Sequence, residues 1–310
     1  MDTNALTSAY GADTLTVDAI VQNPTWLPER VLQNLEGAAI EEALFRNGGT
    51  NDGVVAFREA ASPYLNDDAE NVAEFAEIPV SAADLGRART IVGVKTALGV
   101  RISREMRREN KVDAVSRQVI GLENTMARNS VKSTLAAFES ADIPTMAVSA
   151  KWTDNDSNPI YDILAAKRSI SAAKVAGSTE DYFGYVPNAI VLNEADLDVA
   201  LWHDSTQRFY RGNAAADNPV YRGVTPDILS GLRVITSRFI APGDVYVLET
   251  GTAGFVSDTD PLTVTPFYSE HGENGFGGAN QSWRMDAFRK RIIAVDNPQS
   301  VMKITGTGAA

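Results

Sequence analysis

The chain has 310 residues, in which 28 Lys and Arg meet 40 Asp and Glu for a formal net charge of −12, so no net field draws it to nucleic acid or anionic lipid. The absence of cysteine excludes disulfides, thiolate nucleophiles, Cys-type zinc sites and iron–sulfur clusters, and two histidines, His203 and His271, leave little imidazole for metal or base chemistry. With 44% hydrophobic and 22% charged residues this is the composition of an ordinary folded chain, long enough for two domains or one elaborated domain.

No Lys or Arg precedes Arg30, and the start lacks an apolar run of signal-peptide length, so no secretion signal is expected. The longest apolar runs are four residues, such as Ala189–Leu192, far below the roughly 20 needed to span a bilayer. No membrane partner is expected. Residues 1–25 read as an extended arm, and 36–45 as a short Ala-rich helix stopped by Asn47, Gly48 and Gly49. Residues 53–60 and 88–102 are rich in β-branched residues and partly alternating, as two legs of one long hairpin would be. Between Arg58 and Arg87 lie Glu59, Asp67, Asp68, Glu70, Glu74, Glu77 and Asp84 with no Lys or Arg. With few large apolar residues to bury, this segment should project into solvent or onto another chain.

Val112, Val115, Val119, Leu122 and Met126 follow helical spacing, and Val131, Leu135 and Phe138 resume it after one slip, which predicts a long amphipathic helix over 113–140. Gly121 inside it costs about 1 kcal/mol relative to Ala, so packing should hold it. A second helix is expected from Pro159 to near Gly177, then a buried strand over 187–193 and a helix over Glu194–Trp202 capped by Asn193. Residues 206–226 read as loop. The last third predicts strands at 232–236, 245–248, 254–256, 262–265, 283–295 and 300–305, with a frayed tail at 307–310.

Chemical motifs are weak. The glycines at 272, 275, 277 and 278 lack the lysine of a phosphate loop and open no apolar helix, so they read as a flexible loop. His203 beside Asp204 reads as a histidine at a helix C-terminus rather than a dyad. Asp154, Asp156 and Asn158 alternate as in a calcium loop, but no glutamate closes the loop, so a turn is expected. An α+β hydrolase using carboxylates such as Asp196 and Asp198 stands as an alternative without a recognisable nucleophile and base. No catalytic residue, metal or cofactor is assigned. Basic residues gather at Arg101, Arg104, Arg107, Arg108 and Lys111 and at Arg284, Arg289, Lys290 and Arg291. These clusters complement the acidic Asp67, Asp68, Glu70, Glu74 and Glu77, so a neighbouring copy could supply the opposite charge for assembly.

The order of arm, hairpin, long helix, α/β lobe and returning strands resembles that of tailed-phage major capsid proteins with the HK97-type fold. The likeness rests on residues 100–106 and the polar break at Asn110 before the helix, on 229–235 with 243–247 and 254–256, and on 287–298 closing with Ile304, Thr305 and Gly306. The resemblance implies an α+β HK97-type fold: an N-terminal arm and short helix (1–49), an E-loop hairpin (50–102), a P-domain with a spine helix (103–158), an A-domain (159–281) and returning P-domain strands (282–310). It further implies a shell of hexamers and pentamers around double-stranded DNA, bound without sequence specificity, in a virion assembled in the host cytoplasm. A portal and possible decoration proteins are expected partners. Some relatives carry a fused scaffolding segment, for which the roughly 50 residues before the hairpin leave no room, so a separate scaffolding protein is expected. Some relatives also weld the shell through an E-loop lysine and an asparagine. Here residues 61–83 contain no lysine, and Lys95 lies well back on a strand, so a non-covalent shell is expected. An encapsulin-like nanocompartment shell is the alternative within the fold.

Overall fold

The computed structural model describes residues 16–22, 25–36, 39–175, 178, 180–209, 227–272 and 276–308. The first half of the chain forms α1 (Val17–Gln22), α2 (Trp26–Glu36), α3 (Ile40–Leu44), β1 (Arg46–Thr50), β2 (Val54–Arg58), β3 (Ala88–Val92), β4 (Val94–Ser103), α4 (Arg104–Arg108), α5 (Val112–Ser140) and β5 (Thr145–Ala147). The second half forms α6 (Pro159–Ser171), β6 (Ala189–Leu192), α7 (Glu194–Trp202), α8 (Asp204–Phe209), β7 (Ile228–Leu229), β8 (Leu232–Thr236), β9 (Asp244–Leu248), β10 (Phe255–Val264), β11 (Tyr268–Ser269), β12 (Ser282–Ala294) and β13 (Val301–Thr305).

These strands make two main sheets. One is centred on β12, which pairs antiparallel with β4 from Ser282↔Ser103 to Arg291↔Val94 and with β10 on its other edge, while β1 adds parallel to β10. The other has the order β5-β13-β9-β6-β8-β7. Its strand β6 is buried at all four residues, Ala189, Ile190, Val191 and Leu192, which explains a continuous apolar run where a half-exposed strand would alternate. α6 and α7 flank this sheet, their starts fixed by Asn158 and Asn193, whose side-chain oxygens accept from the backbone N–H of Tyr161 (3.1 Å) and Ala195 (2.9 Å).

The 29-residue α5 is the frame on which the lobes meet. Val115, Val119, Leu122 and Met126 pack with the arm helices and with Met285 and Ala287 of β12. Val131 and Phe138 belong instead to a second core with Tyr246, Leu248 and Val256. The slip in the apolar stripe after Met126 is therefore the point where the helix passes from one core to the other. A third core, around Trp152, Ile163, Leu197 and Val247, fills the α/β lobe.

Several expectations are corrected. The start is not extended throughout: Leu27, Val31 and Leu35 share one face of α2 and are buried against α5, which makes a helix the way to hide them. Residues 1–15 lie outside the described residues. Asn47, Gly48 and Gly49 do not merely stop a helix. They are taken into β1, because β10 offers an open edge and pairing with it overrides weak strand propensity. The strand expected over 88–102 divides at Gly93: β3 pairs with β2, and β4 leaves the hairpin to join β12. The strands expected at 254–256 and 262–265 are one strand, β10. Sheet membership cuts across the 281/282 division, since β10 and β11 share a sheet with β12, while β13 sits beside β9. The start of the 206–226 loop is helix α8; Gly212, Pro219, Gly223 and Pro226 lie outside the described residues. The tail is ordered at Thr307, which is fully buried; 309–310 lie outside the described residues.

Candidate assembly surfaces

The most exposed feature is the hairpin of β2 and β3. Its ladder runs from Val54↔Val92 to Arg58↔Ala88. At its root the Gly93 N–H donates to the Gly53 carbonyl (2.8 Å), and Gly53 has φ +101°, a conformation that L side chains rarely adopt. The body grips the ribbon at the outer end of its ladder. Phe57 meets Phe255 edge-on at 5.6 Å, Ala60 N–H donates to the Asp296 carbonyl at 2.8 Å, and Arg89 pairs with Glu59 and donates to the Ser140 carbonyl at 3.3 Å. Further out, Leu65 bridges Ala83, and Asp67 accepts from the Ser81 hydroxyl at 2.8 Å.

Asp67, Asp68, Glu70, Glu74 and Glu77 are all exposed, and among the described residues no ion pair engages any of them. The tip is not only acidic, however. Phe75 is 98% exposed, Val80 94%, and Ile78 lies beside them in solvent. The expectation of few large apolar residues is corrected: the tip carries an apolar group that the protomer does not cover.

The basic clusters do not form two free patches. Arg104 sits over the Phe276 ring (4.8 Å), and Arg107 sits over Trp283 (4.7 Å) while pairing with Asp18 of α1. Arg108 is exposed. Arg284 lies 2.6 Å from Asp286 and 3.6 Å from Glu270. Lys290 lies against the hairpin root, its Nζ 2.8 Å from where a Cβ at Gly53 would stand. Arg289 and Arg291, with side chains only 10% exposed, are turned inward: Arg289 lies 2.7 Å from Glu41, and Arg291 meets Glu41 (3.1 Å), Glu42 (3.0 Å) and Asp258 (2.7 Å). As contacts for another subunit these two are corrected. β12 is an interior strand, and these positions face α3 and α5, so their charge is neutralised within the protomer.

Glu41 has no exposed surface and also accepts from the Ser130 hydroxyl of α5. Burial alone would push its carboxyl up, but Arg289, the Ser130 hydroxyl, its own backbone N–H and Arg291 together outweigh burial and hold it below the usual range. Sequence reading missed Glu41, which looks like any acid on a short helix. The signal was present only in β12, where two arginines spaced by two on a buried strand need a carboxylate opposite them.

The carboxylates considered for hydrolysis do not make a site. Asp196 is fully buried and accepts from the Thr307 hydroxyl (2.5 Å) and the Gly243 N–H (3.0 Å), while Asp198 is exposed. His203 caps α7; its Nε2 lies 3.1 Å from both Ser157 Oγ and the Asp154 carbonyl, and its Nδ1 accepts from the Ser205 N–H at 3.2 Å. His271 is exposed. Among the described residues no cluster of metal-ligating side chains occurs and no helix is long and apolar enough to cross a membrane.

A family model described as phage capsid protein matches residues 87–304. No curated protein sequence matches the chain. Among solved structures, one titled Mycobacterium phage Adephagia is 13% identical, with 88% of this chain and 89% of that chain covered at a TM-score of 0.56. The capsid of Myoviridae phage XM1 is 9% identical, with 88% and 90% covered at 0.52. A virus-like particle from Pyrococcus furiosus is 9% identical, with 90% and 97% covered at 0.55.

Proposed function

The chain belongs to the phage capsid protein family, and from that premise we propose that many copies assemble as hexamers and pentamers into an icosahedral shell around the double-stranded DNA of a tailed phage. The fold is the HK97-type capsid fold, and the role is structural, not enzymatic. The location is the virion capsid, with assembly in the host cytoplasm as part of the proposal. The observation that carries the assembly reading is the hairpin tip. An isolated protomer gains nothing from holding Phe75, Ile78 and Val80 in water between unpaired carboxylates, whereas a neighbouring copy can cover them and keep the acids at a polar rim. Exposed Arg108, together with Arg104, Arg107, Arg284 and Lys290, which retain some accessible surface, is the candidate for that rim on the neighbour. A separate scaffolding protein and a portal belong to this reading, with decoration proteins as further candidates.

Electron microscopy and sedimentation of the expressed protein test it. Closed shells or six-fold and five-fold capsomers are expected, and a compact monomer at every concentration overturns it. The likeness to the virus-like particle from Pyrococcus furiosus gives a second reading, a shell that encloses something other than a phage genome. Portal and terminase genes beside this one would support the phage shell, and their absence the second reading.

A further inference from the structure

We propose that the solvent-facing side of α5 is a contact surface for the phosphate backbone of double-stranded nucleic acid; this rests on the shell reading above and names the residues that meet the enclosed genome. Arg117, Arg128 and Lys132 are exposed. They follow one another by 11 and 4 residues, so at about 100° per residue they lie within about 60° of one another on the exposed side of the helix, opposite the Val115, Val119, Leu122 and Met126 part of the apolar stripe. At about 1.5 Å per residue they span about 22 Å. Among the described residues no ion pair involves any of the three. The one acid near the middle, Glu123, is partly buried and turned to the Asn34 amide (3.1 Å), so no exposed carboxylate cancels the stripe between Asp113 and Glu139.

Two further observations converge on this face. Arg238, exposed in the turn after β8, reaches the helix and donates to Asn124 Oδ1 at 2.6 Å, which adds a fourth cation from a different element. Gly121 lies between Arg117 and Asn124, and a Cβ there would meet nothing within 4 Å. Packing of the apolar stripe holds the helix, but nothing in the protomer packs on this glycine itself. Its cost of about 1 kcal/mol has no internal reason, and what it provides is a place where another surface can approach the helix backbone.

The partner is identified by what the face lacks. No large exposed apolar side chain lies on α5, so the face offers nothing to Phe75, Ile78 and Val80 of a second copy's hairpin. It fits a partner that is charged and polar throughout. Duplex DNA presents one negative charge per about 1.7 Å of axis, so a straight row of cations meets phosphates whatever the sequence. Four cations on a chain of net charge −12 give weak, salt-sensitive contact, which permits a genome to slide as it is packed.

The test measures binding of a labelled duplex of about 30 base pairs to the soluble protomer by fluorescence anisotropy across a salt series. With about four phosphates neutralised, the expected slope of log K against log salt is about −3 to −4, equal for duplexes of unrelated sequence. R128Q/K132Q should reduce the slope by about 2 and weaken binding at low salt by about tenfold or more. R168Q, an exposed cation on α6, serves as a control off this face and should change little. An unchanged slope in R128Q/K132Q overturns the proposal. So does capture of a peptide spanning residues 61–85 by the native chain, lost in R128Q/K132Q while duplex binding is unaffected, since the face is then a contact between copies. Shell formation by the native chain is scored in parallel by microscopy. Normal shells with unaltered duplex binding in the variant remove only this inference, while failure of the native chain to assemble removes the shell reading itself.

Discussion

Arg289 of β12 reaches Glu41 of α3 at 2.7 Å, across 248 residues of sequence, and ties the arm to the central strand of the sheet. The carboxylate has no exposed surface, and Arg289 has no other ion-pair partner among the described residues. Removing one partner of such a pair leaves an uncompensated buried charge. Glu41→Gln is expected to destabilise the protomer by about 3–5 kcal/mol, read as a lower denaturant midpoint. The double variant Glu41→Leu with Arg289→Met should recover much of that loss, because two apolar groups of similar size need no counter-charge. Equal losses in single and double variants would show that packing volume, not charge, fixes this contact.

The same carboxylate gives a pH dependence with a definite sign. Its folded value is held below the ordinary Glu range, so its stabilisation is complete above that range and is lost as pH falls through the depressed value. The stability difference between the native chain and Glu41→Gln should therefore be constant near neutrality and shrink on acidification. Denaturant titrations at a series of pH values measure it, and a gap that widens in acid contradicts the assignment.

Asp196 shows the opposite behaviour. Burial is the main influence and pushes its carboxyl up, Asp244 adds to this, and the Thr307 hydroxyl and the Gly243 N–H offset part of it. A raised acid favours its protonated form when folded, so its contribution declines as pH rises from the ordinary Asp value toward the raised one. Asp196→Ala leaves a buried hydroxyl and an N–H without their acceptor and is expected to cost about 2–3 kcal/mol. Limited proteolysis should then remove the residues from Thr307 onward, which the native chain protects. Equal protection in the variant would mean that the tail is held by its neighbours alone.

How far the sequence reached depended on whether a signal was local. The α5 stripe was legible because Val115, Val119, Leu122 and Met126 repeat at the helical period, and the cap at Asn193 because it acts within two residues; Asn158 read only as part of a turn, although it caps α6. The break of the hairpin strand at Gly93 was not, since β3 and β4 read as one β-branched run and only the position of β12 separates them. The fates of the charges were also illegible. Arg289 and Lys290 are neighbours in sequence, yet strand alternation buries one against Glu41 and leaves the other at the hairpin root, and nothing near them in the chain tells which. The row of Arg117, Arg128 and Lys132 went unread, since cations on an exposed helix side are ordinary and only the Arg238–Asn124 contact and the open space at Gly121 set this side apart.

The absence of lysine from residues 61–83 carries a prediction for the assembled shell. Lys95 is committed to the body, its Nζ 4.7 Å from the Phe288 ring centre on the strand paired with β12. An amide bond between copies needs a lysine amine carried out to the neighbour, and the tip presents none. Denaturing electrophoresis of mature particles should give one band at the protomer mass, and a ladder of multimers would refute it.

The hairpin tip separates folding from assembly. Asp67, Asp68 and Glu70 lie in solvent beyond the Leu65–Ala83 bridge, where Asp67 exchanges two exposed hydrogen bonds with Ser81, so replacing all three with lysine should move the thermal midpoint by little, since exposed substitutions usually stay within about 0.5 kcal/mol. The same change reverses the field that the tip presents to a basic neighbour and should impair shell formation at physiological salt. Phe75→Ser with Val80→Ser probes the other half of the contact, because it removes apolar area that only another copy can bury, at about 25 cal/mol per Å². If charge sets register and apolar burial supplies affinity, high salt should rescue the lysine variant in part and leave the serine variant defective. Normal particles from both variants would place the tip outside the contact between copies, and loss of the folded protomer in either would mean that the tip belongs to the core of the fold.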